Sequence, residues 1–344
     1  MRDCFVTSTW DQYFSRFPPE KHDVYFSEAY LKLFSDQYVE ECFVFMEDEK
    51  IWLFPYLKRE IVFEGLIYWD FESQYGYGGP VCNSDNSDFL NLAEISFNDF
   101  MRSKNFIAGL IKLHPLINNH SLLKTHATLY FDRLTVGLDL SDDFRAIWEG
   151  QIHSKHRNII RKGEKSGFDF FVDTEFLFLN DFIDIYIETM KRKTAKQFYY
   201  FADSYFYSLK ENLKSNLLLM HVFYKGKIIC SSLFLLSTCY AHYHLSGTRS
   251  EYVSMSPSSF LIFKSIEYLK GLKKKILHLG GGTDSSPNNT LFKFKSRFSL
   301  LRYDFYVGEM IFNHEVYNNI CLKWDEGNNE KSKEFKNKLL KYRF

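Results

Sequence analysis

Three things are missing from this 344-residue sequence, and each absence removes a class of function. Net charge is the first. Lys and Arg number 43 and Asp and Glu also 43, so no global field draws the chain to DNA or to an anionic membrane, and only local patches could do so. Paired cysteines are the second. Cys4, Cys42, Cys82, Cys230, Cys239 and Cys321 are scattered with no C-x-x-C pair, and several sit in apolar runs where a free Cys behaves as a small hydrophobe. A long apolar run is the third. Residues 1–5 lack the core of a signal peptide, and 228–241 is short for a membrane span and interrupted by Ser231, Ser232, Ser237 and Thr238. These absences together predict a cytoplasmic enzyme with reduced thiols and without a transmembrane segment; whether it is a monomer or a dimer is left open by the sequence. No Ser-His-Asp signature, Walker loop or dinucleotide fingerprint is present; Gly280-Gly281-Gly282 lacks the G-x-G-x-x-G spacing.

What is present suits a globular enzyme. Hydrophobic residues make up 45% and charged residues 25%, enough apolar material for real cores, and the length is comfortable for two domains. Aromatics reach 19%, with 36 Phe and 23 Tyr; much of this is read as compositional bias of the source and some as ligand stacking. A helix is predicted over 28–38, a hairpin over 41–46 and 50–58, a helix over 88–104, and strands over 106–113 and 134–140. A boundary follows at Asp139-Leu140-Ser141. Beyond it an amphipathic stretch carries Phe144, Trp148, Ile152 and Ile159 at near-helical spacing and closes at Gly167. Then come a strand over 168–172, helices over 176–192 and 203–213, a three-strand meander over 216–245, a strand over 302–311 and helices over 313–324 and 328–342. The mixture is α/β or α+β, with helices on mixed, largely antiparallel sheets. The two halves show a similar succession of elements, which predicts two tandem units, 1–141 and 142–312.

The stretch 241–298 organises the second unit. It reads as a strand over 241–246, a polar turn Gly247-Thr248-Arg249-Ser250, and a helix opened by Ser256-Pro257 and stopped by Gly271. A short strand over 276–279 follows, then three glycines that allow close backbone approach to a ligand, then Leu291-Phe292-Lys293-Phe294-Lys295-Ser296-Arg297-Phe298.

The pieces Tyr243-His244-Leu245-Ser246-Gly247-Thr248, Ser256-Pro257, His278-Leu279-Gly280-Gly281-Gly282 and 291–298 resemble, in order and residue choice, the C-terminal module of the FemAB-like transferases. These are a branch of the GNAT-fold acyltransferases that includes the peptidoglycan-bridge aminoacyltransferases. The resemblance implies two GNAT-like units, with the chain end, 313–344, returning to the first. It also implies an acyl donor used as co-substrate, aminoacyl-tRNA or acyl-CoA, with no tightly bound cofactor. The acceptor implied is a nucleotide- or lipid-linked sugar or muropeptide, which would allow transient contact with a membrane surface.

Three stretches carry the candidate chemistry. Around Tyr75-Gly76-Tyr77-Gly78-Gly79-Pro80, alternating glycines and tyrosines allow a ligand-hugging loop with stacking faces, or simply a rigid turn. The loop resembles the family's glycine-proline loop, where a nearby Asp faces the acceptor pocket, so Asp70 is expected to orient the acceptor amine and Tyr75 and Tyr77 to contact it. In 153–165, Arg157 and Arg161 stand at i, i+4 and can converge on one anionic group, although a solvated helix face has the same pattern. The family carries a basic helix here, so both are carried over as phosphate contacts. In 291–298, Phe294 and Phe298 would anchor a helix while Lys295 faces elsewhere; a semi-buried lysine near an acyl carbonyl can stabilise an oxyanion. By resemblance Lys295 lies in the cleft, Lys293 competes with it, and Tyr243 and His244 line the acceptor site.

His242 and His244 share a strand face and His153 and His156 sit at i, i+3, but no Cys or acidic residue completes either set at a characteristic spacing, and no metal site is expected. The Q/R-x-x-G-x-G/A loop that holds the CoA pyrophosphate in acetyl-CoA-dependent GNAT enzymes is absent from 247–258, a departure the FemAB-like branch shares. The reading is an amide-forming acyl or aminoacyl transferase acting on an amino group of a cell-wall or surface-polysaccharide precursor. An acetyl-CoA-dependent N-acetyltransferase of an amino sugar and a non-catalytic binder of glycans or nucleotide sugars are the alternatives.

Overall fold

The structure, a computed structural model, describes residues 2–344. In chain order the strands are β1 (Arg2–Thr7), β2 (Val39–Glu47), β3 (Lys50–Phe63), β4 (Leu66–Glu72), β5 (Val81–Cys82), β6 (Phe106–Lys112), β7 (Thr128–Asp139), β8 (Phe168–Asp173), β9 (Leu217–Tyr224), β10 (Lys227–Leu236), β11 (Tyr240–Thr248), β12 (Ile276–Gly280) and β13 (Arg302–Ile311). The helices that matter below are α1 (Ser87–Ser103), α2 (Ser154–Lys165), α3 (Leu179–Arg192), α4 (Asp203–Leu213), α5 (Pro257–Gly271), α6 (Thr290–Lys295) and α7 (His314–Gly327). Two compact units result. Unit 1 takes the residues up to Lys21, Tyr25–Asp132 and Asp304–Phe344; unit 2 takes His22–Val24 and Arg133–Tyr303. The division thus falls inside β7 and not at the turn after it, because β7 starts several residues earlier than the apolar pattern of 134–140 shows.

In unit 1, β1 to β4 pair antiparallel in sequence order, β4 pairs with β6 in parallel, and β6 pairs with β13 antiparallel. The parallel step needs a crossover, and α1 supplies it. Asn86 caps α1 by accepting from the Phe89 amide at 2.9 Å. Helical spacing then puts Phe89, Ala93, Phe97 and Met101 in the core. They meet Phe43, Phe45, Trp52, Phe54, Tyr56 and Phe71, with Phe54 and Phe97 stacked at 4.6 Å. Much of the aromatic excess is therefore core, where each ring buries a large apolar area. At the chain end, α7 and Leu339 and Leu340 pack on Ile107 and Ala108.

In unit 2, β8, β9, β10 and β11 pair antiparallel, β11 and β12 pair in parallel across α5, and β12 pairs antiparallel with β7. The apolar side of α5, with Phe260, Ile262, Phe263, Ile266 and Leu269, packs on Met220, Val222, Ile229, Phe234, Ala241 and Leu277. On α3, Thr189 exchanges hydrogen bonds with the Thr248 backbone at 2.9 and 3.1 Å. This approach requires Gly247, since a Cβ there would stand 2.6 Å from the Ile185 carbonyl oxygen. No helix among the described residues is long and apolar enough to cross a membrane.

Three of the predicted helices depart from the sequence pattern. The stretch 142–167 is not one helix: a turn at Phe144–Ala146 runs into a π turn at Ile147–Gln151, and α2 starts only at Ser154. Arg157 explains the break, because its Nη1 donates to the carbonyls of Trp148, Glu149 and Ile152 at 3.2, 2.9 and 2.8 Å. Those acceptors lie free because the turn has ended. The helix predicted over 28–38 is one turn, Glu28–Leu31, followed by 3-10 backbone. That over 328–342 stops at Phe335, and Leu339 and Leu340 beyond it are buried outside any α-helix.

Candidate active site

The strand β12 ends in the glycine turn, and the residues around it belong to unit 2. Gly280 sits at φ +75°, a conformation glycine adopts without cost. The next two carbonyls each receive a cation. Lys295 Nζ donates to the Gly281 carbonyl at 2.8 Å and Arg133 Nη1 to the Gly282 carbonyl at 2.8 Å. Lys295 is 8% exposed. Burial, and then the positive charge of Arg133, lowers it from its ordinary 10.5 to about 7.

The short helix α6 aims Lys295 at this turn. Asn289 caps it, its Oδ1 accepting from the amides of Leu291 and Phe292 at 3.0 and 3.1 Å and its Nδ2 donating to Thr283 and Asp284 at 2.7 and 2.9 Å. Phe298 is fully buried and Phe294 partly so, the anchoring that the i, i+4 spacing predicts, although regular helix ends at Lys295. Both rings meet His156 of α2 edge-on, at 5.8 and 4.5 Å. The His153 amide donates to the Arg297 carbonyl at 2.9 Å. α2 and α6 are thereby locked together. His156 is buried and neither ring nitrogen has a hydrogen-bond partner among the described residues. Burial, then Arg297, lowers it to about 4, so it is a neutral packing group.

The two arginines expected to share a phosphate have separated. Arg157 is spent on the three carbonyls named above, whereas Arg161 is exposed and lies over the Trp148 ring at 5.3 Å. Lys293 is exposed and reaches Asn288 at 2.8 Å, leaving the buried position to Lys295. On β11 the register slips, Leu233 facing Leu245 and Phe234 facing Tyr243, which places His244 at the bulge. Its Nε2 lies 3.1 Å from the Tyr205 hydroxyl of α4, and burial, then His242, lowers it to about 3. Tyr243 is half-buried against Phe234 at 5.5 Å, and burial raises its hydroxyl. His242 and His244 do not act as a pair: His242 bridges Asp23 at 2.7 Å and His278 at 3.3 Å, and His278 continues to Thr135 at 2.9 Å.

The remaining candidates lie in unit 1 and answer differently. Asp70 is fully buried and paired with two arginines: Arg59 Nε donates to Oδ1 at 3.0 Å, and Arg343 donates to Oδ2 and Oδ1 at 2.9 and 3.0 Å. Asp70 is held in this arrangement as the shared partner of two arginines, one on β3 and one at the chain end. The Tyr77 ring packs edge-on between Tyr25, His114 and Phe305 at 5.4 Å from each. The Tyr75 carbonyl accepts from Tyr30 at 2.8 Å. Here the turn reading of the loop accounts for the contacts. Arg133 and Asn289 had no signal in sequence; Arg133 lies in an ordinary strand run and is recruited by the fold.

Residues 152–295 match the family model described as the acetyltransferase (GNAT) domain, which makes this chain an acyltransferase. No curated protein sequence matches it. Among solved structures it is similar to FemX, with a TM-score of 0.71 and 13% identity over 93% of this chain and 99% of that one. It is also similar to the L-PGS of Bacillus licheniformis, at 0.53 and 13% over 84% and 92%. A tandem GNAT protein from the clavulanic acid biosynthesis pathway aligns at 0.50 and 7% over 90% and 98%. These likenesses show the fold: GNAT-like, and shared over nearly the full length with FemX and with the tandem GNAT protein.

Proposed function

We propose that this GNAT-fold acyltransferase forms an amide, moving an acyl or aminoacyl group onto an amino group of a nucleotide- or lipid-linked cell-wall or surface-polysaccharide precursor. The observation that carries the reading is Lys295, a buried lysine at the end of α6 whose Nζ donates to the Gly281 carbonyl in the turn after β12. In the transfer the amine lone pair attacks the donor's carbonyl carbon, a C–N bond forms and the carbonyl electrons move onto oxygen. Collapse breaks the bond to the leaving group, a ribose oxygen of aminoacyl-tRNA or the sulfur of acyl-CoA. That atom gains the proton the nitrogen loses. A preorganised cation in a water-poor site stabilises the oxyanion strongly, and Lys295 is given that role.

Arg161, stacked on Trp148 and open to solvent, takes the acceptor's phosphate. Lys293, on the same short helix as Lys295, is the second exposed cation available to that phosphate. Tyr243 and the bulged His244 line the acceptor side. Between β11 and α5 the backbone forms a 3-10 turn at Ser250–Met255, and Ser256 adopts a left-handed conformation before Pro257. The absence of glycine spacing here favours an aminoacyl ester as donor; the family model keeps acyl-CoA as the second reading. Mass spectrometry of UDP- and dTDP-amino sugars and UDP-linked muropeptide, each incubated with charged tRNA or acyl-CoAs, tests both. A mass gain with charged tRNA supports the proposal and identifies the acceptor. A gain only with acyl-CoA reassigns the donor, and no gain with either overturns the function.

A further inference from the structure

Two cations on consecutive carbonyls is an unusual use of a glycine turn, since like charges destabilise one another at short range. Arg133 is not a loose surface group placed there by accident. A Cβ on Gly281 would stand 2.9 Å from Arg133 Cδ and 3.1 Å from the Leu134 carbonyl oxygen, so the arginine stem lies flat against the turn. On the other side a Cβ on Gly282 would stand 2.5 Å from Asn289 Oδ1. The turn is clamped between β7 and the cap of α6, and both clamps need glycine.

We propose that Arg133 is a positioning residue for the transfer: its guanidinium fixes the turn whose carbonyl holds Lys295 and keeps a second positive charge beside the Lys295 ammonium. The role as positioning residue rests on the proposed function; the coupling between the two cations does not. The charged groups of this neighbourhood come from several elements. β7 brings Arg133, and the loop before α6 brings Asp284, whose carboxyl is held low by the Ser286 amide first, then Asn289, with Arg133 a smaller contribution. Lys293 is engaged with Asn288, Arg297 follows α6 and is exposed, and α2 brings the neutral His156. Burial sets most of the Lys295 behaviour, and Arg133 is the charge that adds to it. A lysine that both keeps and releases its proton near neutrality can stabilise the oxyanion. It can then hand that proton to the leaving oxygen or sulfur and recover one from the acceptor nitrogen, with no net change.

The test is the titration of Lys295 itself, read by NMR of the full-length protein labelled with ¹⁵N-lysine, the resonance being identified by its loss in Lys295→Arg. Arg133→Met is expected to move the midpoint up by about one pH unit, the effect of removing a neighbouring like charge, while Arg133→Lys leaves it in place. Asp284→Asn, on the exposed loop, is expected to move it down by removing a negative charge from the neighbourhood. An unmoved midpoint in Arg133→Met, an equal shift in Arg133→Lys, or an upward shift in Asp284→Asn overturns the inference. Where the transfer is measurable, the pH limb of kcat should move with the NMR midpoint. A midpoint that moves as expected in a protein with no transfer from any donor upholds the coupling and sinks the transferase.

Discussion

Each unit of this protein buries a charge, and the two are treated in opposite ways. Asp70 in unit 1 is fully enclosed and met by two guanidinium groups. Lys295 in unit 2 is nearly as enclosed, yet its recorded acceptor is a neutral carbonyl, and Arg133, the cation on the next carbonyl of the turn, repels it. A buried charge met by opposite charges holds a fold together, and removing one partner is strongly destabilising. One that lacks an opposite charge costs stability, and it persists where chemistry uses it.

Breaking each charge should therefore give mirror-image results. Asp70→Asn strands Arg59 and Arg343, and the expected loss is about 3–5 kcal/mol of stability, measured by urea denaturation, with specific activity of the folded fraction retained. Lys295→Met should do the reverse: kcat falls on the order of 100- to 1000-fold while the melting temperature is unchanged or raised. Loss of stability with full turnover in Lys295→Met would erase the distinction.

The pH dependence sharpens the same contrast. Lys295 is lowered from 10.5 to about 7 in the folded protein. Between those values the unfolded chain binds a proton that the folded chain does not, so stability should rise with pH across that window. Turnover that depends on the ammonium should fall as pH rises through about 7. Both slopes should vanish in Lys295→Met, which denaturation curves and rate profiles taken at several pH values would show. A turnover that rises through neutrality would instead make Lys295 the base.

A smaller version of the comparison exists within α2. Arg161→Ala should raise the acceptor KM on the order of tenfold, the effect of losing a charge-assisted contact, with an unchanged melting temperature. Arg157→Ala should lower the melting temperature through the three carbonyls it leaves unpaired, with little effect on KM. Interchange of these two outcomes would reverse their assignment.

Most of unit 2 was legible from local signals. Pro257 and Gly271 bracket α5, the short run 276–279 lies in β12, and Phe294 and Phe298 anchor the helix of Lys295, because periodicity and i, i+4 spacing are properties of neighbouring residues; the cap expected of Ser256 is not made, since that residue is left-handed and its side chain bonds no helix amide. β1 went unread, the Arg2–Thr7 segment being an exposed and half-exposed strand without a strong apolar pattern. The break at 152–153 also went unread, because its cause is the conformation of one long side chain. Arg157 and Arg161 look equivalent in sequence; only the ended helical turn beside Arg157 distinguishes them. Asp70 looked reactive beside a glycine-rich loop, and nothing local could announce Arg343, which is 273 positions away.

By itself, then, the sequence determined most of the order of elements, which depends on spacing within a few residues, while the GNAT-like reading of 241–298 and the choice of Lys295 over Lys293 rested on the resemblance to the FemAB-like family. Which charges are spent and which are left available was decided only by the tertiary structure. A salt bridge, a capped carbonyl and a like-charge neighbour all depend on distance through space, and the partners here come from β3, β7 and the chain end.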